Sequence, residues 1–303
     1  MPSNSKKRAI IALVIAALIW GAAVPIFKWS LGNIPPFSLA FLRFFLAAFL
    51  IFPLAKNHLK ISSKDIDRIV LISLLGITLN ISFFFQALRY TTALNAAVLL
   101  TTAPILTLFT AHIFLKERLR PILILSLSLA VLGMIVLIIN PIRENGIDSH
   151  LLGNFLMLLA VLSWVGYEIT AKKLFVSYPA ITIVFYSFLI GAFSFFPGFY
   201  AEYIMSPEWV LDLDIKGIVG IAYGAFFSST IAYLAWDFGL SKLPASEVSL
   251  FSSLQPLAAA VIALPLLGEK ITFPFLIGAF LILTGVFLLE KKRLLTHSRL
   301  QNS

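Results

Sequence analysis

The sequence is dominated by uninterrupted apolar stretches that are long enough to cross a lipid bilayer as helices. A hydrocarbon core about 30 Å thick needs about 20 apolar residues in a helix that rises 1.5 Å per residue. Turn or charge signals separate ten such stretches, called the first to the tenth span below. They cover roughly residues 9–31, 36–55, 68–89, 92–115, 121–140, 151–171, 180–201, 216–240, 245–267 and 272–290. Because they are continuously apolar rather than alternating, the sequence predicts an all-α membrane protein with ten transmembrane helices.

The composition excludes several other classes of protein. Hydrophobic residues make up 60% of the 303 residues and charged residues 12%, whereas soluble domains carry about 25% charged residues. Too little polar surface remains for a soluble enzyme, a disordered chain or a nucleic-acid-binding protein, despite the net charge of +9. The chain has no cysteine and no segment of the form GxxxxGK[ST], HExxH or GxSxG. We therefore expect no disulfide, metal site, cofactor or ATP hydrolysis.

Lysine and arginine are distributed unevenly between the links on the two sides of the predicted membrane. With the N-terminus in the cytoplasm, 17 of the 23 basic residues fall in inner segments and 4 in outer links. Positive charge accumulates on the cytoplasmic side of membrane proteins, where it meets anionic head groups of the bilayer. We therefore expect a multi-pass protein of the cell (inner) membrane, with cytoplasmic tails at residues 1–8 and 291–303.

The two halves of the sequence resemble each other. At an offset of 144 residues, and at 152 beyond the link 202–215, residues of rare types coincide. The matched pairs include Trp20 and Trp164, Lys28 and Lys172, Pro35 and Pro179, Phe44 and Phe188, Leu88 and Leu240, Pro104 and Pro256, and Glu117 and Glu269. Chance matches at tryptophan, lysine, proline and glutamate are rare at a constant offset. The sequence therefore predicts two repeats, at residues 9–140 and 151–290.

An odd number of spans in each repeat determines how the two repeats are oriented. A unit of five spans that is copied in tandem enters the membrane from the opposite side the second time. The halves are then inverted repeats, an architecture that is common in secondary transporters with a central binding site and alternating access. The alternative is a duplication that only produced a stable helical bundle.

Several local segments make the chain resemble a known family. They are Ile19-Trp20-Gly21, Leu42-Arg43-Phe44, Pro53, the stretch from Ala87-Leu88 to Pro104, Glu117, and Gly268-Glu269. In these segments the chain is similar to the EamA family of the drug/metabolite transporter superfamily, across nearly its whole length. The resemblance implies ten helices around a central cavity and the export or uptake of small metabolites, with amino acids or their derivatives as cargo. The chain departs from the family pattern at Lys116, Glu168 and Asp237.

Basic side chains within the spans need a partner or a function, because a charge near the bilayer centre costs about 2.5–3.5 kcal/mol. Arg43 lies about 10 Å into the second span at 1.5 Å per residue. It either faces the pathway and holds a carboxylate or phosphate, locks two helices together, or extends to the head groups. Lys28 and Arg89 lie nearer the outer ends, where extension to the head groups is favoured.

Acidic residues mark the predicted inner ends of three spans. Glu168, Asp237 and Glu247 belong to the sixth, eighth and ninth spans, and Lys172 follows Glu168 by four residues. One interpretation is a set of interfacial ion pairs that closes the inner face. The other is a set of carboxylates that takes up a proton or binds a cationic substrate. Under that interpretation, the residues of the gate or proton-coupling site are Glu168, Asp237, Glu247, Lys28 and Lys172.

Uncharged polar and aromatic residues are candidates for the substrate site at mid-membrane depth. We expect Asn80 and Gln255 to contact the substrate together with Arg43, and the rings of Trp20, Trp164 and Tyr167 to line the site. Tyr233 and Trp236 offer further flat surfaces for an organic substrate. Pro104 and Pro256 interrupt the fourth and ninth spans and are candidate hinges, because proline within a helix removes one hydrogen bond. Alternatively, such prolines and aromatic residues have only structural roles in membrane helices.

These observations favour a secondary transporter of a small organic metabolite that works by alternating access. Its expected partners are a small-molecule substrate, the lipid bilayer and a coupling proton or ion. The alternatives are a non-transporting membrane scaffold, which needs no cavity, and a membrane-embedded enzyme, which needs convergent catalytic groups.

Overall fold

A computed structural model describes residues 4–115, parts of 122–137, and residues 149–301. Every regular element in these residues is helical, and eight helices are long and apolar enough to cross a membrane. The fifth predicted span, 121–140, is described only in part. Lys116 and Glu117, which were considered in the comparison with the family, lie outside the described residues. Among the predicted spans that are described, the long continuous helices are Asn4–Ser30, Pro36–Ala55, Ser149–Leu174, Ala180–Met205 and Phe273–Gln301.

The third and eighth spans each contain a π-helical segment that the sequence analysis did not predict. The third consists of Ile66–Ser73, the π segment Leu74–Leu79 and Asn80–Tyr90. The eighth consists of Ile215–Ala222, the π segment Tyr223–Ile231 and Ala232–Lys242. At the offset of 152 residues, the two π segments occupy overlapping positions in the two halves. Such segments are rare and occur frequently at functional sites.

The fourth and ninth spans are also interrupted at matched positions. The fourth is divided into Ala93–Leu100 and Ala103–Leu115, and the ninth into Ala245–Val248, a 3₁₀ segment Ser249–Leu254, and Gln255–Leu267. Each candidate hinge proline therefore stands in the first turn of a new helix, not inside a continuous one. At Pro104 no helical hydrogen bond is removed, because the first turn of a helix has no intrahelical acceptor for that N–H. Pro256 directly follows the 3₁₀ segment Ser249–Leu254.

The second and seventh spans pack along each other through aromatic side chains. Both helices begin after a proline in extended conformation, Pro35 and Pro179, which ends the preceding link. Phe44 of the second span contacts its matched residue Phe188, with ring centroids 5.4 Å apart. The opposite faces of these helices expose large apolar side chains such as Phe49, as expected for a surface in contact with lipid.

Two glutamates at or beyond the ends of spans hold the starts of neighbouring helices. Glu202 accepts hydrogen bonds from the backbone N–H groups of Phe37 and Ser38, at 3.1 and 2.7 Å. Glu269 accepts from Ala93 and Leu94 at the start of the fourth span, at 2.6 and 2.9 Å. Such contacts satisfy helix N–H groups that lack an internal partner and match the positive end of the helix dipole.

Glycine is needed directly before Glu269 for a backbone reason. Gly268 ends the ninth span with a φ of 62°, a left-handed conformation that side chains with a Cβ rarely adopt. The Gly268-Glu269 segment thus combines a helix stop with a cap for another helix.

Close packing of the first and ninth spans predicts a large effect of a single methyl group. A Cβ atom at Gly21 would lie 2.5 Å from the carbonyl oxygen of Gln255 and 2.8 Å from Cβ of Ala258. We expect Gly21→Ala to lower the free energy of unfolding by about 1–3 kcal/mol, because two backbones would have to separate. Gly32→Ala is the matched control, since its nearest neighbour would be 3.4 Å away. Equal melting temperatures of the two variants in detergent would contradict this packing.

Candidate functional site

A cavity lies between the described spans. Its empty volume, including the space at its opening, is about 680 Å³. The first, second, third, fourth, sixth, eighth and ninth spans contribute its lining. The lining residues are Trp20, Ala23, Val24, Phe27, Arg43, Asn80, Ile81, Phe84, Leu100, Ala103, Val161, Trp164, Glu168, Ser228, Tyr233, Trp236, Ser249, Ser252 and Gln255. A scaffold without a cavity is therefore excluded.

The wall of the cavity is built from matched positions of the two halves but differs in polarity between them. At the offsets of 144 and 152 residues, six pairs of lining residues coincide: Trp20 and Trp164, Val24 and Glu168, Ile81 and Tyr233, Phe84 and Trp236, Leu100 and Ser252, and Ala103 and Gln255. Where a pair differs in polarity, the more polar member belongs to the second half. Only Arg43 and Asn80 reverse this trend, because their matched positions are Ser187 and Ala232.

Arg43 is buried in the cavity wall without a carboxylate partner among the described residues. Its Nε donates to Ser229 Oγ at 2.7 Å, and one Nη donates to Ser228 Oγ at 3.1 Å. The guanidinium carbon lies 4.8 and 4.6 Å from the ring centroids of Phe27 and Phe44. The side chain is only 2% exposed, so the alternative in which it extends to the head groups is wrong. The two serines use only part of the five-donor capacity of a guanidinium.

Four aromatic residues form a cluster next to Arg43, called the aromatic cluster below: Trp20, Trp164, Tyr233 and Trp236. The Trp20 ring centroid lies 5.1 to 5.2 Å from each of the other three. Trp20 and Trp164 are matched residues of the two halves and contact each other edge to face. Trp20 Nε1 also donates to the backbone oxygen of Ser228 at 2.9 Å, which joins the cluster to the serine that holds Arg43. Flat, electron-rich rings of this kind can contact apolar groups and cations.

Glu168 is a fully buried carboxylate that lines the same cavity. It accepts hydrogen bonds from Trp236 Nε1 at 3.0 Å and from Thr107 Oγ1 at 3.2 Å. The interpretation of an ion pair between Glu168 and Lys172 is wrong, because Lys172 Nζ donates to the carbonyl oxygens of Leu240 and Leu243 instead. Both of these hydrogen-bond donors to Glu168 are neutral.

Tyr167 and Asp237 lie beside the cavity rather than in its lining. The Tyr167 hydroxyl donates to Asp237 Oδ2, and both side chains are buried. The Tyr167 ring packs against Gly76 of the third span, where a Cβ would lie 2.5 Å from the ring. Tyr167 was predicted to line the substrate site together with Trp164. The structure instead places its neighbour Glu168 in the lining of the cavity.

Lys28 and Lys172 make matched contacts at the ends of neighbouring helices. Lys28 Nζ donates to the carbonyl oxygens of Leu88, at 2.9 Å, and Thr91. Lys172 Nζ donates to the carbonyl oxygens of Leu240 and Leu243, the latter at 2.7 Å. All three pairs of residues are related by the sequence offsets. Each lysine holds the last turn of a helix, where free carbonyls and the negative dipole end favour a cation, so extension of Lys28 to the head groups is wrong.

These lysine contacts predict a measurable loss of stability. We expect Lys172→Met to lower the free energy of unfolding by about 1.5–3 kcal/mol, because two hydrogen bonds from a charged donor are lost. The neighbouring Lys173 is exposed, so Lys173→Met is the matched control and should leave stability unchanged. Chemical denaturation in detergent compares the two variants. If both lose equal stability, the contacts of Lys172 do not hold the eighth span.

The remaining predicted residues divide between the cavity and its surroundings. Asn80 and Gln255 line the cavity, and Asn80 Nδ2 also donates to the carbonyl oxygen of Ala160 at 2.8 Å. Glu247 lies in the short helix Ala245–Val248 and is only partly buried. Ser249, which was not predicted, has a buried hydroxyl with no hydrogen-bond partner among the described residues and also lines the cavity.

A helical membrane protein with a partly polar cavity between its spans has the form of a membrane transporter. The model of the EamA-like transporter family matches residues 7–139 and again residues 151–290. The chain belongs to the EamA-like transporter family. The identification from Trp20, Arg43, Pro104 and Glu269 is thereby confirmed, and the family is one of transporters, not of enzymes.

Curated relatives and a solved structure agree with this assignment. A protein of Archaeoglobus fulgidus named "Uncharacterized transporter" is 28% identical, over 96% of this chain and 99% of its own. A protein of Escherichia coli named "Probable amino-acid metabolite efflux pump" is 30% identical, over 94% of this chain and 95% of its own. One solved crystal structure has the same fold, with a TM-score of 0.66, 16% identity and coverage of 95% of this chain and 96% of that chain.

Proposed function

We propose that this protein carries a small zwitterion of the amino-acid type across the cell membrane by alternating access. The observation that carries the proposal is the presence of one guanidinium and one carboxylate in the wall of a single cavity, Arg43 and Glu168, which are not paired with each other. A ligand that carries both charges would satisfy both groups. The printed name of the Escherichia coli relative agrees with such a cargo.

Arg43 is the group that would bind the carboxylate of the cargo. A guanidinium presents a planar fork of donors that fits a carboxylate in bidentate geometry. Ser228 and Ser229 fix one edge of the fork, and the rings of Phe27 and Phe44 hold its faces. The group is therefore positioned before cargo binds, which reduces the entropy lost on binding.

Glu168 and the aromatic cluster would bind the ammonium group. Trp236 hydrogen bonds to Glu168 and also contacts Trp20, so the carboxylate lies at the edge of the cluster. An ammonium placed there gains an ionic contact and a cation–π contact in a site of low dielectric. Asn80, Gln255 and Ser249 supply further polar atoms along the wall.

In this proposal, the conformational change is a movement of the two inverted repeats, residues 9–140 and 151–290, relative to each other. Trp20 contacts Trp164 and Phe44 contacts Phe188, and a residue that contacts its own counterpart lies near a two-fold axis. The matched contacts of Lys28 and Lys172 support the same relation. Because the two repeats are inverted copies, the movement that closes the cavity on one side of the membrane has a symmetric counterpart that closes it on the other side. In this proposal both termini are cytoplasmic, and the broken helices at Pro104 and Pro256 absorb the movement.

Reconstitution into liposomes tests the proposed function. Liposomes that contain the purified protein are loaded with an unlabelled amino acid. Its exchange against a panel of labelled amino acids is then measured at equal pH on both sides of the membrane. We expect exchange of at least one zwitterion, and inhibition by that zwitterion but not by its decarboxylated or deaminated analogue. Absence of exchange with every zwitterion, or equal inhibition by both analogues, would overturn the proposal.

A further inference from the structure

A buried carboxylate next to the cavity has no part in cargo binding. Asp237 is fully buried, and only Oδ2 has a hydrogen-bond partner, the Tyr167 hydroxyl. Its second oxygen, Oδ1, is buried without any partner in the part of the chain that the structure describes. A carboxylate in a membrane span is costly to retain, and such residues generally mark ion or proton pathways.

Asp237 is linked to the cargo site by a crossed pair of hydrogen bonds. Tyr167 and Glu168 are adjacent in the sixth span, and Trp236 and Asp237 are adjacent in the eighth. Tyr167 donates to Asp237, while Trp236 donates to Glu168. Each helix thus contributes one aromatic donor and one carboxylate acceptor. Glu168 lines the cavity and Asp237 lies behind it, so a charge bound at Glu168 acts directly on Asp237.

Among the residues that the structure describes, no cation lies against the Asp237 carboxylate. The titratable groups that face it are Tyr167 and Glu168 of the sixth span and Tyr233 of its own helix. Lys172 of the sixth span contacts the carbonyl oxygens of Leu240 and Leu243. The first span contributes apolar residues to the cluster around this part of the eighth span, namely Leu13, Ala16 and Ala17.

The chemistry of this place favours a proton over a metal cation. A hard cation such as Na⁺ needs several oxygen ligands, as the better known Ca²⁺ and Mg²⁺ sites illustrate. Asp237 supplies one free oxygen, and the described residues contain no group of three or more acidic or histidine side chains that could hold a metal ion. A proton needs only that one oxygen.

We propose that Asp237 and Tyr167 form a proton site that couples transport to a proton gradient. This inference rests on the proposed function. Without cargo, Asp237 Oδ1 takes up one proton from one side of the membrane and becomes a neutral carboxylic acid. When the ammonium of the cargo binds at Glu168, its positive charge stabilises the carboxylate of Asp237, and the proton leaves to the side from which the cargo came. One proton therefore crosses in exchange for one zwitterion.

Proteoliposomes can separate this coupling from cargo transport itself. Exchange of labelled for unlabelled cargo at equal pH requires no net proton movement, whereas accumulation driven by a pH gradient does. One pH unit supports up to about tenfold accumulation in a one-to-one exchange. We expect the wild type to show both activities. Asp237→Asn should keep exchange within about threefold of the wild type and lose gradient-driven accumulation, since an amide retains the Tyr167 contact but takes up no proton.

A second variant covers the case in which Asp237→Asn does not fold. Tyr167→Phe keeps the ring against Gly76 and removes the donor to Asp237 Oδ2, so exchange should persist while the pH at half-maximal accumulation changes. Gradient-driven accumulation by Asp237→Asn, an unchanged pH profile in Tyr167→Phe, or stimulation of the wild type by a Na⁺ gradient alone would overturn the proton site. Absence of exchange in the wild type would instead overturn the proposed function.

Discussion

Arg43→Met is expected to weaken the binding of carboxylate-bearing cargo by about 100-fold or more, because two charge-assisted hydrogen bonds contribute about 1.5–3 kcal/mol each. Methionine has a similar length and fits between Phe27 and Phe44, so the apolar contacts of the side chain are largely retained. Binding of labelled cargo to protein in detergent measures the effect. A decarboxylated analogue should bind the variant and the wild type equally.

Two further variants distinguish carboxylate binding from a structural role of Arg43. Arg43→Lys keeps the charge but loses the bidentate fork, so binding should be intermediate. Ser187→Ala changes the matched position of the second half, whose hydroxyl contacts Ser73 outside the cavity lining, and should bind cargo normally. Normal cargo binding by Arg43→Met would remove Arg43 from the substrate site.

Glu168→Gln is expected to weaken the binding of the amino-acid cargo by about 30-fold, because the ammonium loses an ionic partner worth about 2 kcal/mol in a partly desolvated site. The amide still accepts the hydrogen bond of Trp236, so the wall keeps its shape. A deaminated carboxylate analogue should bind the variant at least as well as the wild type, because an unpaired negative charge has been removed. Competition between the zwitterion and its deaminated analogue measures whether the variant loses its preference for the zwitterion.

Asp237→Asn is the matched control for Glu168→Gln. It removes the neighbouring buried carboxylate but leaves the residues of the cavity lining unchanged. At a pH low enough to keep Asp237 protonated in the wild type, its equilibrium affinity for the zwitterion should lie within about threefold of the wild-type value, since the amide and the neutral acid carry the same charge and no contact to cargo is lost. An equal loss of affinity in both variants would mean that general electrostatics, and not a contact to Glu168, determine cargo binding.

Hydrophobic length and internal repetition were sufficient to predict the class of fold. Each span that the structure describes is helical, because a chain in lipid must satisfy its backbone hydrogen bonds within the segment. The contacts of Trp20 with Trp164 agree with the repeat, and the contacts of Lys28 and Lys172 explain why lysine recurs at that offset. What hydropathy does not encode is a local change of helical register, so the π segments were missed. The interruptions expected at Pro104 and Pro256 begin a few residues earlier, after Leu100 and Val248.

The candidate site was predicted in part. Arg43, Asn80, Gln255, Trp20 and Trp164 were expected to line one site, and they do line one cavity. Tyr167 was expected in the lining, but its neighbour Glu168 lies there instead. Adjacent helical residues point about 100° apart, and the rotation of a span is determined by packing. Gly76 accommodates the Tyr167 ring, and this contact sets the rotation that turns Glu168 toward the cavity. Tyr233 and Trp236, which the sequence also offered as flat surfaces for an organic substrate, line the cavity as well. Ser249 carried no distinguishing signal among the many hydroxyl residues.

Labelling of a single cysteine from each side of the membrane tests alternating access most directly, because the natural chain has no cysteine. Ser252→Cys places a thiol in the cavity wall, and Ser206→Cys places one in the link between the seventh and eighth spans. A membrane-impermeant maleimide is applied to right-side-out and inside-out vesicles. The account predicts that Ser252→Cys is labelled from both sides and protected by cargo on both, while Ser206→Cys is labelled only from outside. Labelling of Ser252→Cys from one side only, unaffected by cargo, would contradict it.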